Sequence, residues 1–74
     1  MGHETAAQAL YRHAREAAGR HDAACTALGC GISTGHAYAQ GQGAPDAKVC
    51  RMADALGVRV VYSPGAGWVV EVQT

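Results

Sequence analysis

The chain has 74 residues; Ala and Gly fill 26 positions, Leu, Ile and Val only 11, and Phe none. Six Lys/Arg balance six Asp/Glu, which excludes a strongly basic nucleic-acid binder, an acidic tail and a disordered polyelectrolyte. What remains is one small globular domain with a thin, Ala-packed core, of a size at which a partner subunit often supplies stability.

The first 20 residues read as a helix. Ala6, Leu10, Ala14 and Ala17 recur at three-to-four spacing with Ala7, Tyr11 and Ala18 on the adjoining row, and Gly19 is a natural stop. Asp22 has the chemistry of an N-cap, and a short second helix from Ala23 to about Cys30 follows, ended by Gly29 and Gly31. Ser33 and Thr34 suit the cap of a third short helix running to about Gln40. Gly35 inside that helix costs up to about 1 kcal/mol relative to Ala, which calls for a compensating close approach of backbone. Gly41, Gly43 and Pro45 mark a loop.

Pro45 and Asp46 then open a fourth helix, with fixed φ and a negative charge at its N-terminus. Val49, Met52, Ala53 and Leu56 share its apolar side with Cys50 beside them, and Gly57 ends it. Two β-rich runs, Val58 to Tyr62 and Trp68 to Val72, flank Ser63-Pro64-Gly65-Ala66-Gly67 and predict a β-hairpin. Val58, Val60, Tyr62, Trp68, Val70 and Val72 fall on one face. The other carries Arg59 and Glu71, placed to pair across the strands, together with Val61 and Val69. The expected fold is mostly α: a helical core over residues 6–57, then a C-terminal β-hairpin over 58–72, apolar on both faces. One face covers the helices and the other invites a second subunit.

No apolar run approaches the ~20 residues of a membrane span, and Met1-Gly2-His3-Glu4-Thr5 lacks the basic-then-apolar form of a signal peptide. A cytoplasmic location, with no membrane partner, is the expectation. Cys25, Cys30 and Cys50 are an odd number, against a closed disulfide framework. Cys25 and Cys30 have four residues between them but no second pair of that kind follows, so the cysteines read as small buried hydrophobes on helices, with no metal expected. No nucleophile–base arrangement, phosphate loop or carboxylate pair stands out, so neither an enzyme nor a cofactor is expected.

Two short helices joined by a glycine-bearing turn describe a helix-turn-helix. The run Asp22-Ala23-Ala24-Cys25-Thr26-Ala27-Leu28-Gly29-Cys30-Gly31-Ile32-Ser33-Thr34-Gly35-His36-Ala37 is similar to the Cro/phage-repressor type of helix-turn-helix domain. That family shows an Ala on the second helix, a turn Gly four residues later, an apolar-Ser pair opening the recognition helix, and a small apolar residue that locks it down. Gly41-Gln42-Gly43-Ala44-Pro45-Asp46 and Met52-Ala53-Asp54-Ala55-Leu56-Gly57-Val58 resemble the family's following loop and helix. The resemblance covers about residues 10 to 60 and implies a lambda-repressor-like arrangement. Two registers fit. With Gly31 as turn glycine, Ala27 is the signature alanine, Ala37 locks, Cys30 and Ile32 are buried, and Asp22 caps cleanly. With Gly29 in that role, Leu28 and Tyr38 are buried, Ile32 is exposed and Gly35 takes the locking position. The first is preferred; both place residues 33–40 on the recognition helix.

The resemblance implies that this helix enters the major groove of double-stranded DNA. Ser33, Thr34, His36, Tyr38 and Gln40 are its polar groups, and Gly35 is the position at which the backbone approaches the duplex. Gln suits a bidentate contact with adenine, and Ser/Thr suit bases or phosphates. The ring of Tyr38 is equally suited to the core, and Gln40 and Gln42 to solvating the helix end. From Ala23 to Pro45 there is no charged residue, whereas phosphate neutralisation carries much of DNA affinity. Arg20, Lys48 and Arg51 flank the element as phosphate contacts. A homodimer on a palindromic operator, associating through Val60, Tyr62, Trp68 and Val70 of the hairpin, compensates for weak binding per subunit. The expected function is a small dimeric transcriptional regulator, repressor-like and of phage or mobile-element kind. The alternative is a helix-turn-helix scaffold turned to protein binding, such as an inhibitor or antitoxin.

Overall fold

The computed structural model describes residues 4–72; Met1–His3, the start of the stretch expected to be helical, lie outside it with Gln73 and Thr74. Four helices, α1 (Ala6–Ala18), α2 (His21–Leu28), α3 (Ile32–Ala39) and α4 (Asp46–Leu56), precede β1 (Val58–Ser63) and β2 (Gly67–Val72). The mostly helical fold with a C-terminal antiparallel hairpin is therefore the one the sequence pattern predicts.

Thr5 caps α1, its hydroxyl accepting from the Gln8 N–H at 3.0 Å, and Gly19 ends the helix at φ 80° with its N–H on the Arg15 carbonyl. Ala7, Ala9, Leu10 and Ala14 are buried, whereas Ala17 is exposed: the buried stripe is rotated slightly from the expected one and continues through Ala18. Helix α2 begins at His21, two residues before the position expected, and Asp22 is not its cap. The carboxylate is taken instead by the Arg20 guanidinium, with Nε–Oδ1 at 2.9 Å and a second N–O contact at 2.6 Å. A two-pronged contact of this kind outcompetes an N–H donor for the same oxygens.

Gly29 closes α2 in the left-handed region at φ 75°. Its N–H reaches the Thr26 carbonyl at 3.1 Å and the Cys30 N–H reaches back to the Cys25 carbonyl at 3.0 Å, a paired closure of the last helical turn. Gly29 is thus the turn glycine, and the preferred register with Gly31 in that role is overturned. Leu28 and Tyr38 enter the core, Cys30 sits half-buried in the turn, and Ile32 is 49% exposed. Burying a Leu and a Tyr removes more apolar area from water than burying a Cys and an Ile. Gly31, rather than Ser33 or Thr34, is the N-cap residue of α3, and no side chain caps it.

Pro45 and Asp46 open α4 and Gly57 closes it at φ 68°, as expected. Met52 and Ala53 are buried and Val49 and Leu56 pack partly against them, but Cys50 faces solvent. Of the three cysteines only Cys25 is a buried hydrophobe on a helix. In the hairpin, Val58 pairs with Val72, Arg59 with Glu71, Val60 with Val70, Val61 with Val69 and Tyr62 with Trp68. Val58 is buried, and Val60 and Val70 pack on a core built from Leu10, Met52, Leu28, Tyr38 and a set of alanines. On the opposite face Arg59 and Glu71 form the expected cross-strand ion pair at 2.8 Å.

Candidate nucleic-acid interface

Helix α3 presents one uncharged polar stripe. Ile32, Ser33, His36 and Gln40 are exposed, with Thr34 and Ala37 half-buried at its flanks. This is the i, i+1, i+4, i+8 pattern of a single helix face. Two residues expected on that face are elsewhere. Tyr38 is 3% exposed, with its ring in the core, so it is not available to a duplex. Gly35 is also buried and faces α2, not solvent: a Cβ there would overlap the Cys25 sulfur and press on His21 Cε1 at 3.1 Å. The close backbone approach that a mid-helix glycine calls for is real, but its partner is α2.

Polar side chains hold α3 at both ends. His21 Nε2 lies 3.2 Å from the Ile32 carbonyl, where it can act only as donor, leaving Nδ1 to accept from the Tyr11 hydroxyl at 2.6 Å. The same imidazole stacks on His36 at 4.0 Å between centroids and has its Nε2 3.5 Å from the Cys25 sulfur. At the other end Gln8 donates to the Ala39 carbonyl at 3.0 Å and Thr5 to the Gln42 carbonyl at 3.3 Å. Tyr11, His21 and Gln8 are thus positioning residues that sequence reasoning did not single out. His21 and Cys25 stand one helical turn apart, but nothing local to the sequence marks an imidazole that bridges three helices.

The flanking charges are only partly free. Arg20 is exposed but bound in both prongs to Asp22, and its guanidinium holds the Asp22 carboxyl below the usual carboxylate range. Arg12 pairs with Glu4 at 2.9 Å and Arg59 with Glu71. Among the described residues Arg15, Lys48 and Arg51 are the cations outside such pairs, and all three are exposed. Lys48 lies on the first turn of α4; burial and the neighbouring Cys25 push the Cys30 thiol up, and the Lys48 charge opposes them only in part. Gln40 is the C-cap residue of α3, and the Gln42 N–H closes that helix on the Ala37 carbonyl at 3.0 Å.

No family model, curated protein or solved structure matches the chain. No helix of the described residues is long and apolar enough to cross a membrane. Among them, too, no three His, Cys, Asp or Glu side chains gather as a metal site.

The hairpin residues expected at a dimer interface divide by face. Val60 and Val70 are half-buried against the helices, so their surface is already spent within the chain. Trp68 lines grooves against Glu4, Arg12 and Ala6 of the N-terminal region and meets Tyr62 edge-on at 5.2 Å, while Tyr62 remains 60% exposed. The apolar pair left on the outer face is Val61 and Val69.

Proposed function

We propose that the chain is a small dimeric DNA-binding regulator of the helix-turn-helix kind, acting in the cytoplasm, with α3 entering the major groove. The observation that carries this reading is the stripe of Ser33, His36 and Gln40 on a helix locked to α2 at Gly35 and tied at both ends. Ser33 and Gln40 supply hydrogen bonds to base edges, and His36 a donor to a base or phosphate. Lys48, on the first turn of α4 and outside the ion pairs of the described residues, supplies a phosphate-neutralising charge. Arg20 contributes only in so far as Asp22 releases it. Association of two chains through the outer hairpin face, with Val61 and Val69 in place of Val60 and Val70, would present two α3 helices to a two-fold symmetric site.

A second reading has its own support. Ile32 is half exposed at the start of α3, and the chain from Ala23 to Pro45 carries no charge, a surface that also suits a protein partner. Selection from a random duplex pool at two salt concentrations separates the two. An enriched palindrome whose affinity falls with salt at a slope of roughly −2 to −4, the few cations of a dimer, supports the DNA reading. Absence of enrichment even at low salt refutes it.

A further inference from the structure

The closure of α2 brings two thiols together. Cys30 N–H on the Cys25 carbonyl at 3.0 Å, with standard bond lengths, holds the two Cα atoms within the ~4.4–6.8 Å that a disulfide spans. In this kind of helix ending the side chains of those two positions converge on each other. Cys25 lies 1% exposed beneath α3, whereas Cys30 is half-buried and reachable from solvent. Cys50 is exposed on α4.

We propose that Cys25 and Cys30 form a dithiol redox site that closes to an intramolecular disulfide, with low-molecular-weight disulfides such as glutathione disulfide as oxidant. This goes beyond the DNA-binding reading and stands without it. The accessible Cys30, as thiolate, attacks the small disulfide; a protein–small-molecule S–S bond forms as the original S–S bond breaks, and one small thiol leaves. Cys25 then loses its proton and attacks the Cys30 sulfur from within the fold, releasing the second small thiol. Two protein thiols are oxidised, one small disulfide is reduced, and the two small thiols carry off the protons. The attack by Cys25 needs no solvent access, because its target is already bound to its neighbour. Burial and the neighbouring Cys25 push the Cys30 thiol up, with Lys48 partly opposing, so the reaction is slow near neutrality and quickens as pH rises. The product is a short covalent ring around the turn that joins α2 to α3.

The test uses the reduced full chain equilibrated in glutathione buffers from reducing to oxidising at mildly alkaline pH, then alkylated and cut after Arg and Lys. The fragment from His21 to Lys48 contains Cys25 and Cys30, and Cys50 falls in the next fragment. The expected result is that the first fragment loses both alkyl labels together and is lighter by two hydrogens, while Cys50 stays outside the crosslink. Cys30→Ser abolishes the change and Cys50→Ser leaves it intact. The proposal is overturned if Cys25 and Cys30 both remain alkylated in buffers that modify Cys50. It is equally overturned if Cys30 stops at the mixed disulfide, or if Cys50→Ser prevents the crosslink.

Discussion

Replacing Gly35 with Ala tests how tightly α2 and α3 are locked. The new methyl would overlap the buried Cys25 sulfur and crowd His21 Cε1 at 3.1 Å, and overpacking of this kind costs about 1–3 kcal/mol. Against it, Ala in a helix interior gains up to about 1 kcal/mol over Gly. The net expectation is a loss of about 1–2 kcal/mol. A domain this small holds only about 4–11 kcal/mol in total, and each kcal/mol lowers its melting temperature by roughly 4–8 °C. Thermal melts followed by circular dichroism would therefore shift down by about 4–16 °C. The decisive comparison is the same substitution in a Cys25→Ala background, where the sulfur is gone and only the milder 3.1 Å contact with His21 Cε1 opposes the helix-propensity gain. There Gly35→Ala should cost clearly less than in the parent. If the substitution has the same effect in both backgrounds, the Cys25 sulfur is not what excludes a side chain at residue 35.

Asp22→Asn releases Arg20 and raises the net charge from zero to +1, so DNA affinity should rise at low salt and its salt slope steepen by about 0.9 per subunit that gains a phosphate contact; filter binding across a salt series checks this. The Asp22 carboxyl is held low in the fold, so its contribution to stability is present above about pH 4 and lost as pH falls through the depressed value. Acid melts of the Asp22→Asn chain should accordingly show a flatter decline than those of the parent. On the hairpin, Val61→Lys should weaken self-association about 10-fold or more, as seen by sedimentation, with the monomer still folded. Val60→Lys places a charge against the core and should lower the melting temperature instead.

The elements were legible because three of the four helices end at a glycine that has no need of tertiary context: Gly19, Gly29 and Gly57 all take left-handed φ values. The hairpin and the Arg59–Glu71 pair followed from alternation alone. The register of the turn did not, because Gly29 and Gly31 both punctuate the segment and only the competition between Leu28–Tyr38 and Cys30–Ile32 for the core decides between them. The displacement of Asp22 from capping depended on a neighbour, Arg20, two residues away. Within the candidate site, Ser33, His36 and Gln40 lie on the exposed stripe as expected, whereas Tyr38 and Gly35 were claimed by packing. Whether a helical residue faces core or groove is settled by a rotation of about 100° per residue, so an error of one or two residues in register reassigns the whole face.

The imidazole of His21 has a consequence for how α3 is aimed. Apolar contacts resist separation but are nearly indifferent to sliding, and an Ala-lined core gives a helix little to catch on. Hydrogen bonds are directional, so the Tyr11–His21–Ile32 relay fixes the azimuth of α3 about its own axis as well as its distance from α1. In a domain with so few large side chains, orientation is therefore carried by polar joints at the two ends of α3 and steric closeness by one glycine. Loss of His21 would leave a chain that still collapses but in which the start of α3, the end that would meet a partner first, is no longer held in direction.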